Sequence, residues 1–211
     1  FTRSLPRTSP LEKPVIATGN IESWLQALVD GMQDSIKSII RKAHDEVQTQ
    51  ELEEFIFGHP AQISLLGIQF MWTNDMQSAL TVAKQSKDAM RKAYKKQADM
   101  LKEMIVITTR TTIGKNDRKN LETCITVHVH QRDTSEELMK KRIKDPADFE
   151  WMKQARFYWN NELNTVIISI CDVDFEYSYE YLGVKERLVI TPLTDICYVT
   201  LSKALGMFLG G

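Results

Sequence analysis

Between Leu121 and Ile143 the chain reads LETCITVHVHQRDTSEELMKKRI, and its assignment as strand or helix decides the fold class. Ile125-Thr126-Val127-His128-Val129-His130 alternates and is β-branched, so local propensity favours a strand. The same residues also fit a helix. Leu121, Cys124, Ile125, His128, Val129, Leu138 and Met139 fall on one stripe, and Glu136, Glu137, Lys140 and Lys141 suit a solvated face. The pattern outruns the length of a strand, so a helix is expected and the chain reads as mainly α.

Upstream the helical reading continues. Pro6, Pro10 and Pro14 make residues 1–20 an extended lead-in, because proline fixes φ and removes a donor. Asn20 can cap a helix with its side-chain oxygen, and Glu22 suits the positive helix end. Trp24, Leu25, Leu28, Val29, Met32, Ile36, Ile39 and Ile40 then recur every three or four residues. Gly58-His59-Pro60 interrupts. Residues 61–82 are apolar on more than one side, which predicts a helix buried on several faces. From Lys84 to Lys102 seven Lys/Arg face only Asp88 and Asp99, with Ala89, Ala93, Tyr94, Gln97 and Leu101 as an inner stripe.

Downstream the period changes. Asp145-Pro146-Ala147-Asp148 reads as a helix start with Pro146 in the first position. Phe149, Trp151, Met152, Phe157, Tyr158 and Trp159 form an aromatic cluster expected in the core. Val166, Ile168, Ile170 and Val173 precede Phe175, Tyr177, Tyr179 and Tyr181, which alternate with Glu176, Ser178 and Glu180, and the two runs predict an antiparallel hairpin ended by Gly183. Thr191 as cap and Pro192 as first residue open a last helix through Leu193, Cys197, Leu201 and Leu205.

Composition narrows the function classes. Of 211 residues, 43% are apolar and 26% charged, an ordinary globular balance. With 27 basic and 28 acidic residues the net charge is −1, which argues against a nucleic-acid-binding domain. No apolar run is long enough for a membrane span. Cys124, Cys171 and Cys197 have no CxxC spacing, which argues against a zinc knuckle or a disulfide framework. Cys197 reads as a small buried hydrophobe. His128 and His130 would point about 200° apart on a helix, so they read as structural rather than metal-binding. His44 and His59 have no partner legible in the sequence. The first residue is Phe1, not Met, so the chain is expected to begin within a longer one. No GxxxxGK[ST] pattern occurs in these residues.

One set of residues is far more specific. Asp148-Phe149-Glu150-Trp151, Gln154, Arg156-Phe157-Tyr158-Trp159, Tyr177, Glu180-Tyr181-Leu182-Gly183, Arg187-Leu188-Val189-Ile190-Thr191-Pro192-Leu193-Thr194-Asp195 and Cys197-Tyr198 resemble dynein heavy chains. So do Pro60-Ala61-Gln62, Trp72-Thr73, Asn120-Leu121-Glu122 with His130, and Gly19-Asn20-Ile21-Glu22-Ser23-Trp24-Leu25. Pro14 to Asn20, with Ile39-Ile40-Arg41, is closer to axonemal outer-arm chains than to cytoplasmic dynein.

The resemblance implies a division of the chain. Residues 1–20 would be the lead-in, 21–182 the C-terminal part of the linker that swings across the AAA+ ring, and 183–211 the edge of the first AAA+ module. The fold implied is a long-helix linker bundle with a small antiparallel hairpin, followed by the first elements of an AAA+ α/β module. The family's linker is predominantly helical, which agrees with the reading of residues 121–143. The phosphate-binding loop would follow the equivalent of Gly210-Gly211. Leu188, Val189, Ile190, Thr191, Pro192 and Leu193 would contact the adenine of ATP or ADP, with Mg²⁺ in the complete motor. No catalytic residue and no metal ligand is assigned to this segment, which alone is not expected to hydrolyse ATP. Implied partners are the rest of the AAA+ ring and the N-terminal linker, the microtubule through distant parts of the chain, and intermediate and light chains. Nucleic acid and membrane are not among them. The implied location is the cytoplasm, within the cytoskeleton of the ciliary axoneme. Ile196 stands where dyneins usually carry Arg, which puts any local ion pair in doubt. A different class remains open: a non-catalytic helical scaffold or adaptor that docks an acidic partner on the basic helix 84–102.

Overall fold

In the computed structural model, residues 11–86, 88–110, 112–183 and 189–209 are described. Seven helices and three strands follow in the order α1 (Ile21–Glu46), α2 (Leu52–Gly58), α3 (Ala61–Val82), α4 (Ala89–Thr108), α5 (Lys115–Lys140), α6 (Phe149–Met152), β1 (Arg156–Asn160), β2 (Thr165–Ile170), β3 (Val173–Glu176) and α7 (Pro192–Gly206).

The body is organised around α3. Asp75 is its one charged residue, and fourteen of its 22 residues are buried. A helix apolar all round must be covered all round. Helices α1, α2, α4 and α5 and strand β1 all pack on it. Asp75 is tolerated there because Lys96 Nζ lies 2.8 Å from its carboxylate and Gln97 Nε2 donates to it at 2.9 Å. At Gly67 the ring of Phe55 comes so close that a Cβ would stand 2.3 Å from its Cζ. Only glycine lets α2 lie this near α3.

The stretch opened by Leu121 is helical as far as Lys140, the end of α5. Leu121, Cys124, His128 and Leu138 of the expected stripe are buried, together with Asn120, Thr123, Gln131, Thr134 and Ser135. So polar an inner face is stable because its groups are paired. Asn120 Nδ2 donates to the Ile56 carbonyl at 3.0 Å, and Trp72 Nε1 donates to Ser135 Oγ at 3.0 Å. His128 Nε2 lies 3.0 Å from the Gln97 carbonyl oxygen, and its Nδ1 lies 3.0 Å from the side-chain Oε1 of Gln131. Burial holds the His128 pKa below its usual value, against the pull of those hydrogen bonds. Both ring nitrogens of this buried side chain are thus engaged within the fold.

Several expectations are corrected in detail. Asn20 is the N-cap of α1, but its side chain makes no capping bond. The basic helix starts at Ala89 rather than Lys84. Gln85 and Ser86 donate their amides to the Val82 carbonyl, which closes the end of α3 before the chain turns. Pro146 does not open a helix. Asp145 and Asp148 form consecutive turns, and Asp148 caps the short α6 by accepting from the Glu150 amide at 2.9 Å. The aromatic cluster is split. Trp151 is fully buried, Phe149 is exposed, and Phe157, Tyr158 and Trp159 lie half-buried on β1.

The expected hairpin is present as β2–β3, and β1 joins it to make an antiparallel sheet in the order β1-β2-β3. Phe157 faces Ile168 across the first pair, and Ile168 faces Phe175 across the second. The hairpin turn is only Cys171-Asp172, with Cys171 at φ 56°. The β3 ladder stops at Glu176, short of the tyrosines.

Candidate functional site

Thr191 opens α7 with a capping box: its hydroxyl accepts from the Thr194 amide at 3.3 Å, while Thr194 Oγ1 accepts from the Thr191 amide at 2.7 Å. Pro192 follows in the first helical turn, where its missing N–H costs nothing. This much agrees with the sequence. Of the expected adenine-contacting residues, Leu188 lies outside the described residues. Val189 and Leu193 are 64% and 72% exposed, Ile190 is half-buried, and Thr191 and Pro192 are exposed. The described members therefore present an open apolar edge rather than an enclosed slot. Arg187 and Gly210-Gly211 also lie outside the described residues.

Helix α7 rests on β3. Gly206 sits against Val173 so closely that a Cβ would stand 2.6 Å from its Cγ2. Lys203 Nζ stands 3.9 Å from the Asp172 carboxylate. Ser202 is the buried residue of this helix. Cys197, expected to be buried, is exposed, as are Ile196, Leu201 and Leu205. Among the described elements α7 packs chiefly on β3, so apolar residues on its other sides keep much of their surface in solvent. The exposed Ile196 offers no charge for a local ion pair. His130 on α5 feels the charge of Asp195 on α7. That charge, with Asp133 and Glu137, favours protonation, but burial outweighs it and lowers the His130 pKa.

Between the sheet and α7 the chain is held by side chains. Gln62 on the first turn of α3 is buried. Its Nε2 donates to the Tyr177 hydroxyl and to the Glu180 carbonyl, each at 2.7 Å. Its Oε1 accepts from the Leu182 amide at 2.9 Å. Two backbone groups of fixed character settle which end of the amide is which, since a carbonyl can only accept and an N–H only donate. Tyr179, at φ 56°, turns its ring inward. Its hydroxyl accepts from the Val166 amide and pairs with Thr165 Oγ1, both at 2.9 Å. Lys37 Nζ stands 5.4 Å from the centre of that ring. A left-handed φ at an aromatic residue is unfavourable and persists only where its surroundings enforce it. Gly183 closes the segment at φ 60°.

These tethers were not legible in the sequence. In the sequence Gln62 stands out only as part of Pro60-Ala61-Gln62. One signal was available: it is a polar residue at the head of an otherwise apolar run.

Other chemistry is sparse. Among the described residues, no group of His, Cys, Asp or Glu could hold a metal ion, and no helix is long and apolar enough to cross a membrane. On the basic stretch, Lys84 pairs with Asp145 and Lys96 with Asp75, while Lys92 and Lys95 are exposed. An open pocket of about 360 Å³ lies between Val47, Leu52, Phe55, Met71 and Met100, away from α7.

Comparison with known proteins bears on the same segment. Residues 177–211 match the family described as the hydrolytic ATP binding site of the dynein motor region. Over 200 residues the chain is 66% identical to the dynein gamma chain of the flagellar outer arm of Chlamydomonas reinhardtii, covering 95% of this chain and 4% of that protein. It is 46% identical over 206 residues to dynein axonemal heavy chain 5 of Rattus norvegicus, covering 97% of this chain and 6% of the relative. With human dynein axonemal heavy chain 8 the identity is 46% over 203 residues, 95% of this chain and 4% of the relative. The chain thus spans about one twentieth of the length of these relatives.

Proposed function

The chain belongs to the axonemal dynein heavy chains, of which it spans a short part, and from that premise we propose that it is the joint between lever and ATPase in a ciliary motor. In this reading residues 1–20 are a lead-in, 21–182 the C-terminal part of the linker, and 183–211 the edge of the first AAA+ module. The parent protein is an ATP-driven, microtubule-based motor acting in the cytoskeleton of the ciliary axoneme. Its partners are the remaining AAA+ ring and N-terminal linker, the microtubule, and intermediate and light chains.

The observation that carries this reading is where the match to the ATP-site family begins. It starts at Tyr177, and Tyr177 is the residue whose hydroxyl accepts from Gln62 on the central helix. The nucleotide-related segment therefore begins on a hydrogen-bonded anchor of the helical body. A lever needs stiff elements with a shared core, and α1, α3, α4 and α5, each of 20 residues or more, supply them.

Leu188 to Leu193 form the adenine edge in this proposal. An adenine face needs apolar surface and a few backbone hydrogen bonds. The exposed side chains of Val189 and Leu193 are surface of that kind. ATP, with Mg²⁺, supplies the phosphoryl chemistry when bound, and the phosphate contacts belong to other parts of the heavy chain. The role of Leu188–Leu193 is to bind and orient the base.

The test is Val189→Asp in the complete motor, with nucleotide affinity at the first module read by a fluorescent ADP analogue. A buried-on-binding carboxylate should weaken affinity by about tenfold or more. Unchanged affinity in a folded variant would remove Val189 from the site.

A further inference from the structure

We propose that Gln62 is a positioning residue that couples the helical body to the nucleotide-binding segment, acting as a clamp on residues 177–182. The proposal rests on the reading of this chain as a lever joined to an ATPase module, and it assigns that junction to one side chain.

The clamp has three points of contact within six residues of chain: the Tyr177 hydroxyl, the Glu180 carbonyl and the Leu182 amide. Two of them are backbone groups with no strand partner among the described residues: β3 ends at Glu176, and the last backbone bond to β2 is the one that the Tyr177 amide donates to the Val166 carbonyl at 3.0 Å. Past Tyr177 the side chain of Gln62 takes over, and Tyr179 adds a second fastening to β2 through the Val166 amide. Gln62 stands on the first turn of α3, the helix on which the rest of the body packs. A displacement of α3 is therefore delivered to Leu182, next to Gly183 and six residues ahead of Leu188 in the chain. A buried amide that both donates and accepts suits the task, since neither a carboxylate nor a hydrocarbon can satisfy a carbonyl and an N–H together.

The experiment uses the complete motor with Gln62→Leu and Gln62→Glu. Three readouts are compared: hydrogen exchange at residues 180–182, basal ATP turnover with its KM, and microtubule gliding velocity. For Gln62→Leu, exchange should rise about tenfold or more, and velocity should fall several-fold while turnover and KM stay within about twofold. Gln62→Glu keeps an acceptor for the Leu182 amide and loses the donor to the Glu180 carbonyl, so its velocity should lie between the other two. If exchange is unchanged, the clamp does not hold the segment and the proposal fails. If exchange rises but velocity does not fall, the clamp is local and the coupling role is overturned. If velocity and turnover fall in parallel in both variants, Gln62 is merely structural and the proposal also fails. Exchange at Leu182 does not depend on adenine contact, so failure of Val189→Asp would leave this result readable and separate.

Discussion

Helices α3 and α7 are both rich in apolar residues, yet one is the most enclosed element of the molecule and the other among the most exposed. On α3, Ile68, Met76 and Leu80 have no exposed surface. On α7, Leu193, Ile196 and Leu205 each leave more than half of theirs in solvent. The difference does not lie in composition. Around α3 stand four helices and a strand, whereas α7 leans on β3 along one side. An apolar stripe states what a helix could bury; its neighbours decide what it does bury.

That comparison can be broken most directly at Phe55, which is 1% exposed and lies over Gly67 of α3. Phe55→Ala removes a buried ring packed against α3, and should cost about 3–5 kcal/mol in denaturant unfolding. Gly67→Ala tests the same contact from the other side. Its new methyl meets Phe55 at a distance no real Cβ adopts, so overpacking should cost about 1–3 kcal/mol. A cost below a few tenths for either would mean that α2 is not held against α3.

A smaller effect is expected from pH. His128 is buried in the folded state with a lowered pKa, while the unfolded chain carries an ordinary histidine. Below the ordinary histidine range the unfolded state binds the proton more readily, so this group lowers stability as pH falls and is without effect well above that range. Unfolding midpoints taken on the alkaline and acid sides should differ more for the wild type than for His128→Gln. Equal differences would exclude His128 as a contributor.

The smallest effect is expected on α7. Leu193→Lys replaces an exposed apolar side chain and should change the stability of this chain by no more than about 0.5 kcal/mol. A loss near that of Gly67→Ala would show that the α7 face is covered in solution and would erase the contrast with α3.

Particular elements show how far the sequence could be read. Helices α1, α3 and α7 lie where their stripes put them, and for α3 and α7 Pro60 and Thr191-Pro192 act within one turn of the chain they punctuate, whereas Asn20 precedes α1 without a side-chain cap. The stretch from Leu121 was settled by length rather than propensity. Strand β1 is not legible because Phe157-Tyr158-Trp159 has no alternation, and a strand that packs on α3 as well as on β2 need not show any. The position of Thr191 as a cap was legible for the same local reason. The partners of Gln62 were not, since they lie more than a hundred residues away along the chain.

The sequence by itself determined the periodicities, the Thr191 cap, the shortage of charge on α3 and the run from Asp148 to Tyr198 that identifies the family. These are local or compositional properties, and a chain carries them wherever it folds. Tertiary structure alone decided that α3 would be central and α7 exposed, that Tyr179 would turn inward at a left-handed φ, and that one amide on α3 would hold residues 177–182. Each of these depends on groups brought together from distant parts of the chain, where hydrogen-bond geometry and close packing, rather than order along the sequence, choose the partner.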